Sequence, residues 1–350
     1  VTLLSETPTV SFAAADFAPR PAEARGLVRD EVRLLVGTAE GVRHARFRDL
    51  PDHLRAGDLL VVNDSATVAG EVDATHRGRA VVLHVAARLE DGDRVVELRS
   101  APDAARAVLD ARSGEVVQVD GVRLELDAPW PTGESSSPTG TGNRLWRARV
   151  RGDLDAVLAR RGRPIAYGYL DRRYPLAAYQ TVFGIRPGSA EMASAGRPFT
   201  EALVTRLVSS GVLLAPVTLH TGVSSQEAGE APGPEWFEVP ASTARLVESV
   251  RAGGGRVVAV GTTATRALES AVVDGSVVAA HGWTSRVVTP ADPPRVVDGL
   301  VTGWHDPHAS HLLLVEAVAG RALTQAAYDA AVAHGYLWHE FGDAALLLPR

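Results

Sequence analysis

Short apolar runs alternate with helically spaced segments along most of the chain. Leu59-Leu60-Val61-Val62, Val212–Leu219, Val257–Val260 and Ala344–Leu348 are near-continuous apolar runs of strand length, the pattern of strands covered on both faces. Val32–Val36, ahead of a turn at Gly37, is a further strand candidate. Helical segments are predicted at Leu154–Arg160, Thr200–Ser209, Ala241–Ala252, Leu312–Ala319 and Leu323–His334. Thr200 is a plausible N-cap, and Gly211, Gly253-Gly254-Gly255 and Gly320 are plausible stops. Phe47–Leu50 before Pro51 reads as a short helix entry. Strands alternating with helices predict an α/β fold.

Between residues 71 and 150 the pattern changes. VVLHVAARL, RVVELRS, EVVQVDG and VRLELDA are short, partly alternating runs separated by Gly/Asp turns. This stretch is expected to be a small antiparallel β domain inserted into a main domain made of residues 1–70 and 151–350. Pro131–Asn143 is low in complexity and reads as a loop, and residues 1–25 read as an extended lead-in. No internal repeat is visible.

Composition narrows the chemistry. The 350 residues contain no Cys, which removes disulfides, thiolate nucleophiles and Cys-ligated metal or iron–sulfur sites. Lys is absent as well, so a Schiff-base lysine is excluded. The net charge of -6 argues against broad nonspecific nucleic-acid binding. One local exception is a run of arginines: Arg144, Arg147, Arg149, Arg151, Arg160, Arg161, Arg163, Arg172 and Arg173. It reads either as a basic patch or as a solvated surface. No apolar run approaches the ~18 residues of a membrane-spanning helix. The N-terminus lacks a basic n-region, so the expected location is cytoplasmic.

The segment Arg256–Glu269, RVVAVGTTATRALE, reads as strand, tight turn and helix. Such a turn offers hydroxyls and backbone N–H groups at a helix N-terminus, where polar or anionic groups are favoured. Two other strand ends are polar, Asn63-Asp64-Ser65 and His220-Thr221-Gly222. Ligands of α/β folds bind at the carboxyl ends of strands, so the three clusters can converge; each is also simply a turn. Arg266 is placed in the first turn of its helix, where a cation opposes the helix dipole. It therefore calls for an anionic partner, either a substrate carboxylate or Glu269 three residues on. His305, His308 and His311 are spaced by three, but they diverge on a helix, and no metal site is expected. His305, ahead of the helix, suits general acid/base work. The Gly253–Gly255 run precedes a strand and is not a dinucleotide fingerprint, and there is no P-loop or G-x-S-x-G.

Taken in order, the motifs resemble a known family. They include Arg29-Asp30 with Arg33–Val36, Gly57–Asp64, Tyr179–Phe183, Thr218-Leu219-His220 and Ala259–Thr263 with Arg266 and Glu269. Gly282-Trp283-Thr284, Val297–Thr302, His305, Pro307, Ser310, Ala319-Gly320 and Gly342-Asp343-Ala344 complete the series. This set resembles the S-adenosylmethionine:tRNA ribosyltransferase-isomerase family of queuosine biosynthesis over nearly the whole chain. The resemblance implies a barrel-like α/β main domain with a small inserted antiparallel β-barrel. It implies S-adenosylmethionine as ribosyl donor, with no metal, and a 7-deazaguanine amine in tRNA as acceptor. Adenine and methionine would be released. On this resemblance Gly261, Thr262, Thr263, Arg266 and Tyr179 are expected to contact the donor. His305, His220 and Asp64 are the candidates for catalysis, with the choice of base between the two histidines open.

The chain departs from the family pattern at several places. Pro198 stands where the family has His, and Ser65-Ala66-Thr67 replaces Thr-Arg-Val. Val223–Gln226 replaces Ala-Gly-Thr-Phe, and His-x-Glu-x-Tyr survives as Gly233, Glu235 and Phe237. Thr302–Ser310 carries His308 where the family has Lys. The donor motif is kept and the acceptor side is altered. A small-molecule acceptor and a non-catalytic S-adenosylmethionine-binding module are the alternatives.

Overall fold

The computed structural model describes residues 6–13, 15–131, 142–223, 231–307 and 309–349. Much of the Pro131–Asn143 loop, Ser224-Ser225-Gln226 and His308 lie outside the described residues.

The chain opens with β1 (Arg33–Thr38) and β2 (Gly41–Arg46), then β3 (Leu59–Asn63) and β4 (Ser65–Thr67). Six strands follow: β5 (Glu71–His76), β6 (Arg79–Arg88), β7 (Arg94–Ser100), β8 (Val116–Val119), β9 (Val122–Pro129) and β10 (Leu145–Arg151). Next come α1 (Leu154–Arg161), β11 (Arg186–Ser189), α2 (Glu201–Ser209), β12 (Leu213–His220) and β13 (Glu235–Val239). After α3 (Ala241–Ala252) come β14 (Val257–Val260), α4 (Thr262–Ser270), and the hairpin β15 (Val272–Val273) and β16 (Ser276–Val277). The chain ends with β17 (Ala280–Thr284), β18 (Gly299–Thr302), α5 (His311–Ala319), α6 (Arg321–Ala333) and β19 (Ala344–Leu348).

The main domain is a mixed sheet of nine strands in the order β17-β13-β12-β3-β14-β18-β19-β1-β2. β3 lies at its centre, parallel to β12 and β14 on either side. Both faces of this centre are covered, which is why its strands read as continuous apolar runs. Leu59 and Val61 point into the core under α3 to α6, while Leu60 and Val62 point to the core under α2. Thr200 caps α2 as its sequence predicts, its Oγ1 accepting from the Leu203 N–H at 3.2 Å.

Strands β5 to β10 close into an antiparallel barrel in the order β10-β7-β6-β5-β8-β9. Its apolar core holds Leu83, Val96, Leu98, Leu124, Leu126 and Trp146. On the side towards the main domain the barrel buries charge. Glu71 Oε1 accepts from Arg163 and Arg173 at 2.6 Å each, and Glu97 pairs with Arg99 at 2.7 Å. His84 lies between the two carboxylates, 3.2 Å from Glu71 and 3.5 Å from Glu97. Burial raises the Glu97 carboxyl, but the His84 bond, Arg144 and Arg99 outweigh it and hold it at about 2. A second small apolar cluster joins the barrel residues Ala86, Val95, Leu145 and Trp130 to Val223 and Trp283 of the main domain.

The arginine run is not a basic patch. Arg147 pairs with Asp91 and Asp93, Arg149 with Asp127, Arg160 and Arg161 with Asp120, and Arg163 with Glu71 and Asp73. Arg144 faces Glu97, Arg151 is 4.0 Å from Glu125, Arg173 meets Glu71, and Arg172 lies over the Tyr174 ring. Facing carboxylates consume most of the positive charge that clusters in sequence. No helix among the described residues is long and apolar enough to cross a membrane.

Candidate active site

Because β3, β12 and β14 are parallel neighbours, their carboxyl ends share one edge of the sheet. The three polar strand ends therefore lie side by side. They do different work there. Asn63 ties the strands together: its Nδ2 donates to Leu219 O at 2.9 Å and its Oδ1 accepts from Leu219 N at 3.0 Å. Asp64 is buried, accepting from Thr218 Oγ1 at 2.6 Å and lying 3.4 Å from the Arg186 guanidinium.

At the third strand end the chain turns into α4. Gly261 adopts φ 93°, a left-handed value that a side chain would strain. A cavity of about 410 Å³ opens here, between the main domain and the barrel. The main domain supplies Thr221, Gly222, Glu235, Thr262, Thr263, Arg266, Arg286, Ser310 and His311. The barrel supplies Ala86, Ala87, Val95, Trp130 and Leu145, with Arg144 beside them. Thr263 Oγ1 is buried with no hydrogen-bond partner among the described residues.

Arg266 lies one turn deeper than its sequence position suggested, as the fifth residue of α4. It is buried and nearly saturated. Its Nε donates to Arg286 O at 2.8 Å, and Nη2 donates to Gly233 O at 2.7 Å and Thr284 O at 3.0 Å. Nη1 meets Glu235 Oε2 at 2.5 Å. The anionic partner is thus Glu235, across the cavity floor, and not Glu269. Glu269 instead accepts the backbone N–H groups of Arg295, Val296 and Val297. Glu235 also accepts from Gly222 N at 2.9 Å. Burial raises the Glu235 carboxyl, and Arg266 opposes that rise.

His311, the first residue of α5, lines the cavity, and His305 stacks behind it with ring centroids 4.9 Å apart and planes at 7°. His305 Nε2 lies 3.2 Å from Thr302 Oγ1. Burial pushes the His305 imidazole well below its ordinary range and His311 down to about 4. Both rings are therefore neutral at pH 7. Among the described residues, no group of three or more His, Asp or Glu is placed to hold a metal ion.

His220 lies outside the cavity lining, next to Thr221, which is part of it. Its Nδ1 is 2.8 Å from Ser65 Oγ, which is 2.6 Å from Ser189 Oγ, and Thr221 N donates to Ser189 Oγ at 3.0 Å. The imidazole stacks on Trp236 at 5.2 Å and 20°. A Cβ at position 188 would stand 2.5 Å from the ring, so Gly188 makes room for it. Burial lowers the His220 pKa.

Tyr179 sits away from the cavity. It is buried against Phe341, Tyr174 and Met192, and its ring is part of a small aromatic core. The segment that has lost the family's His is tied to distant parts of the main domain: Arg197 donates to Ala178 O at 2.9 Å and to Glu23 at 2.9 Å. No role for Glu235, Arg286 or the barrel wall was evident from the sequence. The surviving Glu of the His-x-Glu-x-Tyr pattern was the one signal available for Glu235.

An α/β protein with an inserted barrel, and between the two a cavity with one apolar wall and one wall of threonines and arginines, has the form of an enzyme for a small organic ligand. A family profile described as "Queuosine biosynthesis protein" matches residues 11–347, and the chain belongs to that family. It is 36% identical over 341 residues to the S-adenosylmethionine:tRNA ribosyltransferase-isomerase of Gloeobacter violaceus, covering 95% of this chain and 92% of that protein. It is 37% identical to the protein of the same name from Thermus thermophilus, covering 91% and 93%. A solved S-adenosylmethionine tRNA ribosyltransferase from Thermotoga maritima shares the fold with a TM-score of 0.51 and 27% identity, over 95% of this chain and 96% of that one.

Proposed function

We propose that this chain transfers the ribosyl part of S-adenosylmethionine to the amine of a 7-deazaguanine base in tRNA and isomerises it, releasing adenine and methionine. The donor is a substrate, and the cytoplasm, which holds both substrates, is the expected site of action. The observation that carries the reading is the opening of the Gly261-Thr262-Thr263 corner into the cavity beside Arg266 and Glu235. Relatives of that name match along nearly the whole chain, which supports the same reading.

The reaction needs a base for a ribose C5′ proton that the neighbouring sulfonium acidifies. The resulting carbanion opens the ring and expels adenine. His311 is the imidazole on the cavity wall and, being neutral, can accept that proton. His305 holds its ring plane from behind. His220, fixed by Ser65, is the second imidazole within reach of the rim at Thr221. Thr262 and Thr263 suit the ribose hydroxyls. Asp64 acts as a positioning residue through Thr218 and Arg186, and Tyr179 is structural, packed in an aromatic core away from the cavity.

Incubation with S-adenosylmethionine and tRNA carrying the aminomethyl-deazaguanine base should release adenine and methionine and add the rearranged pentose to the tRNA by mass. No adenine with that tRNA would overturn the proposal.

A further inference from the structure

S-Adenosylmethionine carries an α-carboxylate, and a site that holds it in an apolar-walled cavity needs a cation with a free N–H. Arg266 has a single N–H left for this, on the nitrogen that holds Glu235, because three carbonyls and Glu235 take the other four. A bidentate fork onto a ligand would have to displace Glu235. The same backbone that builds the Arg266 socket supplies an alternative. Arg286 gives its carbonyl to Arg266 Nε and is among the residues that line the same cavity. Asp292 holds one end of that side chain through Nη1 and, at 3.2 Å, Nη2. Arg286 Nε is buried with no hydrogen-bond partner among the described residues. An unpaired buried N–H is costly, and a ligand oxygen would satisfy it. Each arginine of the described wall faces a carboxylate: Arg266 meets Glu235, Arg144 lies 3.4 Å from Glu97 and Arg286 meets Asp292.

We propose that Arg286, and not Arg266, receives the carboxylate of the donor's amino-acid portion, with Asp292 fixing the guanidinium and leaving its Nε edge to the ligand. This rests on the donor reading given above. Arg266 then acts as a positioning residue that braces Glu235 and the backbone at 284–286.

Calorimetric titration with S-adenosylhomocysteine and with 5′-methylthioadenosine tests the assignment without turnover. The two ligands share the nucleoside and differ in the amino-acid portion. Arg286→Gln should weaken S-adenosylhomocysteine binding by roughly tenfold or more, the size of one charge-assisted hydrogen bond, and change 5′-methylthioadenosine binding by less than about twofold. Arg286→Lys, which keeps the charge and loses the planar fork, should fall between. Circular dichroism of both variants verifies folding. Equal weakening of the two ligands, or none, overturns the inference while leaving the donor reading standing. Weakened tRNA binding with unchanged nucleoside binding assigns Arg286 to an acceptor phosphate and also overturns it. Wild-type protein that binds neither nucleoside overturns the donor reading and this inference together.

Discussion

The main-domain wall of the cavity carries Thr262, Thr263, Glu235, Arg266, Arg286 and His311, whereas the barrel wall carries Ala86, Ala87, Val95, Leu145 and Trp130, with Arg144 as its charged residue. Each wall holds an arginine against a buried glutamate: Arg266 on Glu235 at 2.5 Å, and Arg144 near Glu97 at 3.4 Å. The polar wall grows from strand ends and a helix start of a doubly covered sheet, where side chains and backbone donors are fixed in place. The barrel wall is an apolar surface joined to the main domain by the Trp130–Trp283 contact at 6.1 Å. The division of labour follows. The main-domain wall carries the hydroxyls, the imidazole and two of the three arginines, and the barrel wall is apolar apart from Arg144.

The largest effect is expected from Arg266→Met. It leaves the Glu235 carboxylate enclosed without its cation, and removing one partner of a buried pair costs about 3–5 kcal/mol. The melting temperature should fall and nucleoside binding should be lost together; a variant of unchanged stability would show the pair is dispensable. His311→Gln comes next, with kcat reduced about 100-fold or more and S-adenosylhomocysteine affinity held within a few fold, as for loss of a general base. Since the His311 pKa is lowered to about 4, the wild-type rate should show no histidine limb near pH 6.5. Trp130→Ala should weaken S-adenosylhomocysteine and 5′-methylthioadenosine about tenfold each, because an aromatic wall reads rings and not charge. Unequal weakening would blur the contrast between the walls.

The smallest effect concerns stability away from the cavity. Burial and the neighbouring Glu191 raise the Glu340 carboxyl from 4.5 to about 8, and Tyr169 donates to it at 3.0 Å. Between those two values the folded state binds the extra proton. Stability from this group is therefore complete below pH 4.5 and is lost as pH rises through 8. Glu340→Gln should flatten that decline, raising the melting temperature relative to wild type at pH 9 and changing it little at pH 5. Parallel pH curves for the two proteins would contradict this origin.

Local patterns made most of the fold legible. The run Leu59–Val62 announced the central strand because both sheet faces are covered, and Thr200, Gly253 and Gly320 marked helix ends through cap chemistry. The site was legible only where it is local. Gly261, Thr262 and Thr263 follow one another, and their strand–turn–helix geometry was readable from the chain. The partner of Arg266 was not, because Glu235 is 31 positions away and reaches it only when β13 pairs into the sheet. Sequence spacing offered Glu269 or a substrate carboxylate, and the Glu269 carboxylate is spent on backbone amides. Tyr179 stands in a family-like motif, yet its ring fills a core, and a motif alone cannot separate the two uses. The arginine run stayed open between a basic patch and a solvated surface for the same reason: its neutralising carboxylates come from distant turns.

On the proposed reading the donor occupies the cavity between barrel and sheet. Hydrogen–deuterium exchange with and without saturating S-adenosylhomocysteine tests it most directly. Ligand protection is expected at 261–270, 284–288 and 309–315 on the main-domain wall, and at 86–95 on the barrel, with 174–180 unchanged. Protection confined to 174–180 and 194–198, with the cavity walls unaffected, would contradict it.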